Sequence, residues 1–396
     1  MKKINWKSAR KWSWPLNVFA YNANRLIRHR DKNLWVFGGR EGHQYDDNSR
    51  YLFEYVNQNH PEIKAVWLCE EDALASRIRS KGYQAYTFSS KEGVEMAKNA
   101  GVAVYSHGLI DFGKFPKVGG AFIVSLWHGV GFKKIYNDTY KGFYKCVKNI
   151  MDMFFSWTWR NLTIATSDYT KSQFAGIFGI SEKNIVIAGQ PRNDIFKLNL
   201  RKLDVLGSLN IDCTKNIILY MPTYRGFNMG KDAMEKIVRD LYRNDKLNQV
   251  LHDTNSIFIT KLHPLTPHVD LNNRDNFVVL DYGEVKDNQA LLAVSDMLIT
   301  DYSSCVVDFA LQNRPVLFYM PDHEKFIKQA EPLYDVFFDV CKHNHCETIE
   351  ELCKGIASPS NEADQYINQI FESEDIKGTN YCENVYSAIV EKIKKF

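Results

Sequence analysis

The chain has 396 residues, of which 45% are hydrophobic and 24% charged, a balance that belongs to folded domains and excludes a disordered chain. Its net charge of +3, from 50 Lys and Arg against 47 Asp and Glu, is too small to argue for nucleic acid as a partner. The eight scattered cysteines follow no secretory signal and are expected as reduced cytosolic thiols, and no apolar run reaches the length of a membrane span.

Residues 1–30 carry Lys2, Lys3, Lys7, Arg10, Lys11, Arg25, Arg28 and Arg30 and no acidic residue. Trp6, Trp12, Trp14, Phe19 and Tyr21 are interleaved with them. Basic residues mixed with tryptophan suit a segment lying on an anionic membrane surface, the alternative being an amphipathic helix docked on the protein. After this arm, 33–39 is expected as a short buried strand, and Asp46-Asp47-Asn48-Ser49 as the start of a helix with Tyr51, Leu52, Tyr55 and Val56 at helical spacing. Strands at 63–69, 84–88, 102–106 and 121–127 alternate with helices at 73–81 and 92–99. A second basic and aromatic stretch, Lys141 to Arg160, strengthens the membrane reading, although at helical spacing some of its aromatic residues belong to a core. Strand 162–167, a helix from about 170 and strand 185–188 continue the alternation.

Residues 197–213 are polar and lack a sustained period, which suggests a link between domains. A second series follows, with strands at 216–220, 256–261, 277–280, 297–300 and 316–319, a helix over 232–242 and an amphipathic helix over 381–394. Alternating strands and helices predict an α/β protein with two Rossmann-like domains facing a cleft. The expected division is a membrane-associating segment at 1–30, an acceptor-side domain at 31–200, and a donor-binding domain at 201–396 that includes the terminal helix.

The polar clusters sit where strands end. His128-Gly129 follows one strand, and Gly189 to Asp194, with Arg192 and Asp194, follows another. Pro222 to Arg225, His263-Pro264 and Asp301 to Ser304 follow three more. Five such clusters are hard to assign to packing, because loops on a rigid scaffold usually carry function. In the last of them, an apolar strand runs into Thr300-Asp301-Tyr302-Ser303-Ser304 and then into a helix over 306–312. Ser303 and Ser304 would there either hold a phosphate at the helix N-terminus or simply cap the helix. His263 could equally be a strand-end residue, Arg192 and Asp194 a structural ion pair, and Asp194 and Asp301 scaffold. Cys341, His343, His345 and Cys346 are packed too tightly for one common zinc site, so a local turn is expected and no metal site is assigned.

WHGVGFKKI (127–135), GQPRNDIF (189–196), YMPTYRG (220–226), KLHP (261–264) and ITDYSSCVVDFALQNRPVLFY (299–319) occur in order. Together they resemble the CDP-glycerol glycerophosphotransferase family, which includes wall teichoic acid primases and polymerases and capsule polymerases. The resemblance implies a GT-B-like architecture and transfer of glycerol phosphate from CDP-glycerol to a hydroxyl, with release of CMP. The acceptor it implies is a lipid-linked saccharide or polyol-phosphate chain at the cytoplasmic face of the bacterial membrane, where the enzyme would be peripheral. It makes His128 the base and places His263 at the donor phosphates. Ser303 and Ser304 would hold the pyrophosphate, with Thr223 and Arg225 facing the same phosphates. Asp301, Asp322 and Glu324 complete the expected donor side, and Gly129, Arg192 and Asp194 are further candidates.

The chemistry is consistent with those residue types. An alcohol attacking phosphorus must lose its proton, and an imidazole with a pKa near ~6.5 can take it at neutral pH. Cations, imidazoles and helix N-termini stabilise the charge on the departing phosphate. Val130-Gly131 stands where the polymerases usually carry Thr-Pro, and Lys377-Gly378 where the family often has Asp-Gly. The short N-terminal region suggests a primase or short-chain enzyme. CDP-ribitol, a nucleotide-sugar-dependent GT-B transferase, and a non-catalytic nucleotide-binding scaffold at the membrane are the rival readings.

Overall fold

The computed structural model describes residues 21–26, 29–140, 142, 146, 160–209, 211–225, 233–263, 266, 275–280, 284–285, 287–329 and 332–396. The basic arm up to residue 20 and nearly all of the 141–160 stretch lie outside these residues, as does Pro264.

The chain divides into two compact units. The first comprises Met1–His128, Tyr136–Asp194 and Glu374–Phe396, and the second Gly129–Ile135 and Ile195–Ser373. In the first, β1 (Asp31–Gly38), β2 (Lys64–Cys69), β3 (Gln84–Thr87), β4 (Ala100–Tyr105), β5 (Phe122–Ser125), β6 (Leu162–Ala165) and β7 (Ile185–Ile187) form one parallel sheet in the order β3-β2-β1-β4-β5-β6-β7. β1 pairs on both sides, Val36 lying opposite Val66 and Ala103. Both faces are covered, so Leu34 to Gly38 and all of β4 are buried without alternation.

In the second unit, β8 (Asn216–Tyr220), β9 (Ser256–Lys261), β10 (Phe277–Leu280), β11 (Met297–Thr300), β12 (Val316–Tyr319) and β13 (His345–Cys346) are also all parallel, in the order β10-β9-β8-β11-β12-β13. β13 was not expected, because two residues carry no periodic signal. Cys341 ends the helix Asp335–Cys341 and Cys346 lies in β13, so the Cys/His run becomes a helix end, a turn and a strand. Residues 197–213 are more ordered than a link: the short helix Lys202–Leu206 is fastened by Lys202 Nζ to Asp296 Oδ2 at 2.6 Å and to the Lys215 carbonyl at 2.9 Å.

The domain expectation needs correction at both ends of the second unit. Residues 129–135 belong to that unit, since Lys134 N–H donates to the Pro332 carbonyl (2.8 Å) and Tyr334 N–H to the Phe132 carbonyl (2.7 Å). The terminal helix Tyr381–Ile393 belongs to the first unit. Its stripe of Cys382, Val385, Ile389 and Ile393 is buried in one cluster with Leu52, Val56 and Leu162. Gly189, at φ +81°, makes room for Tyr381, which a Cβ there would strike.

Candidate active site

In each sheet the strand order reverses once, between β1 and β4 in the first unit and between β8 and β11 in the second. Ligands of open parallel sheets bind beyond the carboxyl ends of the strands at such a point. Both of the main polar clusters lie there.

The first cluster gathers the ends of β1, β4 and β5, the start of the helix Asp47–Asn59, and the turn Pro191–Lys197. Its floor is Asp111, which is fully buried and accepts N–H bonds from Glu41 (2.8 Å), His107 (2.9 Å) and Ser106 (3.2 Å). Burial outweighs those bonds and pushes its carboxyl up to about 6. Asp47 opens its helix in a left-handed conformation, φ +61°. Burial would raise the Asp47 carboxyl, but Arg192, His107, His128 and Arg40 together hold it down at about 2.

Asn48 knits the loops. Its amide donates to the Trp127 carbonyl (2.9 Å), and its side-chain oxygen accepts from Arg192 N–H (3.1 Å). Arg192 is buried, and its Nη1 reaches both Asp47 Oδ1 and the His128 carbonyl at 2.8 Å. The guanidinium therefore fixes the backbone of His128. Trp127 at φ +56° and Gly129 at φ +152° turn the chain sharply on either side of that residue.

His128 Nδ1 lies 3.3 Å from the Ser106 carbonyl. A carbonyl only accepts, so Nδ1 carries the proton in this bond and the neutral ring keeps its lone pair on Nε2. The ring retains exposed surface. Desolvation by the surrounding protein, with Arg192 and Arg40, lowers its pKa against the opposing pull of Asp47 and the Ser106 carbonyl. A neutral imidazole with Nε2 open can accept a proton. Asp194 does other work. Its two oxygens accept the N–H groups of Tyr381 (2.9 Å) and Cys382 (2.7 Å), capping the terminal helix.

The second cluster centres on Arg225, which is buried and fully engaged by carboxylates. Nε and Nη2 donate to the two oxygens of Asp322 (2.7 and 3.0 Å), and Nη1 donates to Asp301 Oδ2 (2.6 Å) and to the Thr223 carbonyl (2.9 Å). Burial works against its charge, but Asp301 and Asp322 outweigh that and raise its pKa. The guanidinium also lies 5.5 Å from the Tyr302 ring and 5.2 Å from that of Phe326, and those rings stack at 3.6 Å. Asp301 Oδ1 takes the N–H groups of Thr223 (2.8 Å) and Tyr302 (2.6 Å), joining the loops after β8 and β11.

Arg225, Asp301 and Asp322, expected on the donor side, here engage one another. A buried guanidinium requires a carboxylate fork, and these three satisfy one another while shaping the loops. The side chain of Glu324 is 90% exposed and pairs with Lys328 at 3.5 Å. Ser303 Oγ accepts the Cys305 N–H at 3.4 Å. Ser304 sits at the N-cap of the helix Cys305–Ala310 in a helical conformation and makes no capping bond with its side chain. Both serines are half-exposed, and the Thr223 hydroxyl is buried without a hydrogen-bond partner among the described residues. His263, just past β9, is exposed, with its ring 5.3 Å from that of Tyr224.

His107, Asp111, Tyr302 and His323, whose Nδ1 meets the Tyr302 hydroxyl at 3.1 Å, were not singled out from the sequence. His107 follows a strand as His128 does, so the strand-end rule could have found it. Asp111 lies inside a short helical turn and gave no such signal.

Two parallel sheets in Rossmann order, each with a polar cluster at its switch point, define a GT-B-like protein. Solved structures of the wall teichoic acid polymerase TagF share this fold, with a TM-score of 0.75, 21% identity and 99% of both chains covered in one structure of a substituted variant soaked with CDPG.

The chain belongs to the CDP-glycerol:poly(glycerophosphate) glycerophosphotransferase family, whose profile matches residues 20–383. It is 28% identical over 355 residues to the teichoic acid poly(glycerol phosphate) polymerase of Bacillus subtilis (strain 168), covering 84% of this chain and 46% of that one. It is 27% identical over 315 residues to the teichoic acid glycerol-phosphate transferase of Staphylococcus aureus (strain NCTC 8325 / PS 47), covering 77% and 78%. Against the B. subtilis polymerase and that of Staphylococcus epidermidis, the chain spans less than half of the relative's length, 46% and 42%.

Proposed function

We propose that the protein transfers glycerol phosphate from CDP-glycerol to a hydroxyl of a lipid-linked saccharide or polyol-phosphate acceptor, releasing CMP, in the synthesis of teichoic acid or a similar polymer. The observation that carries this reading is the fixed orientation of His128, with Nδ1–H on the Ser106 carbonyl and Nε2 left to accept a proton. In the reaction the acceptor oxygen bonds to the phosphorus that bears glycerol. The hydroxyl proton passes to Nε2, and the bond from that phosphorus to the bridging oxygen breaks, so that CMP departs with the electron pair. His263, Ser303 and Ser304 act at the donor phosphates. Arg225, Asp301 and Asp322 hold the loops that carry them, and Arg192 and Asp47 hold His128.

The finer parts of the proposal concern the setting. The enzyme works as a peripheral protein on the cytoplasmic face of the membrane, and the basic aromatic arm meets anionic lipid there. Consistent with this, no helix among the described residues is long and apolar enough to cross a membrane. CDP-ribitol is the second reading. It is favoured by similarity to ribitol-phosphate polymerases, one of them 30% identical over 226 residues, covering 54% of this chain and 42% of that one.

The test is CMP release by purified protein given CDP-glycerol, CDP-ribitol or nucleotide sugars with a lipid-linked acceptor. CDP-glycerol should be consumed fastest. His128→Ala should abolish turnover while leaving CDP-glycerol binding intact, whereas His263→Ala and Ser304→Ala should weaken both. Normal turnover by the His128→Ala protein would remove His128 from the base role.

A further inference from the structure

His107 and His128 stack face to face, their ring centroids 4.4 Å apart and their planes 3° from parallel. They leave consecutive strands of the sheet, β4 and β5, and their Nδ1 atoms are held in opposite senses. His128 Nδ1 faces a carbonyl and so donates. His107 Nδ1 faces the Arg40 backbone N–H at 3.4 Å and so accepts. A ring that accepts at Nδ1 is neutral and protonated at Nε2.

The charged and titratable groups around the pair, among the described residues, are Asp47 at its helix start, Arg40 after β1, Asp111 after β4, and Arg192. Asp111 Oδ2 is 4.0 Å from His107 Nδ1, but that oxygen already takes two backbone N–H groups. Burial, the neighbouring His128, and Arg40 and Arg192 push the His107 imidazole down to about 3, against the pull of Asp47.

We propose that His107 is a positioning residue: it is a neutral imidazole plate that keeps the His128 ring against the Ser106 carbonyl, which sets the Nδ1–H tautomer, screens its inner face from water and keeps its Nε2 lone pair available. Two parallel cations at this spacing would repel, so the pair carries at most one positive charge. A proton taken up by the pair rests on His128, the ring with open surface, and not on its partner. This inference rests on the proposed function only in calling His128 the base. The arrangement of the two rings stands apart from it.

The test separates the two. Protein with 15N-labelled histidine, free of substrate, is titrated by NMR as wild type, His107→Ala and His107→Phe. In wild type, His128 should appear as the Nδ1–H tautomer with a midpoint below the ordinary ~6.5. His107→Ala should mix its tautomers and raise its midpoint. His107→Phe, which restores a flat ring without a nitrogen, should return both towards wild type. In the turnover assay, His107→Ala should lower kcat about tenfold at neutral pH, part of the roughly 10²–10⁴ that a general base supplies, with KM for the donor unchanged. The inference is overturned if His128 keeps its tautomer and midpoint in His107→Ala, or if His107→Phe disturbs them as much as alanine does. Because the NMR readout needs no substrate, an inactive protein with the expected titrations would indict the reaction assigned and not the ring pair.

Discussion

Asp364 is fully buried on the helix Glu362–Phe371, and both of its oxygens lack a hydrogen-bond partner among the described residues. Burial pushes its carboxyl up to about 6. A folded-state pKa above the unfolded one favours folding while the group is protonated. That contribution is complete below about pH 4, the ordinary carboxylate range, and is lost as pH climbs through about 6. Asp364→Asn should therefore melt higher than wild type near pH ~7 and match it below about pH 4. Paired thermal melts at the two pH values check this, and a variant that melts lower at neutral pH would contradict it. Arg225 teaches the complementary lesson about reading single residues. An arginine after a strand, in a chain with phosphate-binding signals, looks like a phosphate ligand. Its actual partners, Asp301 and Asp322, are 76 and 97 positions away, and no local pattern announces that they converge on it. The place of His128 at a strand end was legible because its turn, Trp127-His128-Gly129, is local in sequence.

Elements were more readable than their allegiances. Buried parallel strands are short continuous apolar runs, and β8 to β12 fall where those runs lie. The terminal helix was also visible from its periodicity, but period alone does not say which sheet an apolar stripe will cover. What fixes it is a pair of contacts across the chain: the stripe buried beside Leu52 and Val56, and the carboxylate of Asp194 on the first N–H groups of the helix. Asn380 adds a cap at Glu383 N–H. Removing a charged cap with two such bonds costs on the order of 1–3 kcal/mol. Asp194→Ala should lower the urea midpoint of the transition that includes the terminal helix, with Asp194→Asn losing less. An unchanged midpoint would mean that packing alone holds the helix.

At the scale of the molecule, both units use one plan, a parallel sheet with a polar cluster at the reversal of strand order; the clusters at strand ends were visible in the sequence, the strand order was not. The membrane assignment concerns the arm, whose described root is anchored: Tyr21 is buried, and Arg30 Nη1 donates to the carbonyls of Ala97 (3.2 Å) and Ala100 (3.0 Å). Each basic residue near an anionic surface contributes about 1 kcal/mol, less at high salt. Replacing Lys2, Lys3, Lys7, Arg10 and Lys11 with glutamate should release the protein from phosphatidylglycerol vesicles in a sedimentation assay, while neutral vesicles should bind neither form. Equal binding to neutral and anionic lipid would sink the electrostatic part of the assignment.

Because its last 23 residues, Glu374–Phe396, return to the unit built by its first, the polypeptide cannot be snipped into two working halves near its middle. A fragment ending at residue 200 would bare the greasy bed of Leu52, Val56 and Leu162 and take from Asp194 the N–H groups of Tyr381 and Cys382. Anyone wishing to study the His128 half alone would have to splice the closing helix back onto it, and during synthesis that half must wait for the whole second unit to be made before it can be sealed.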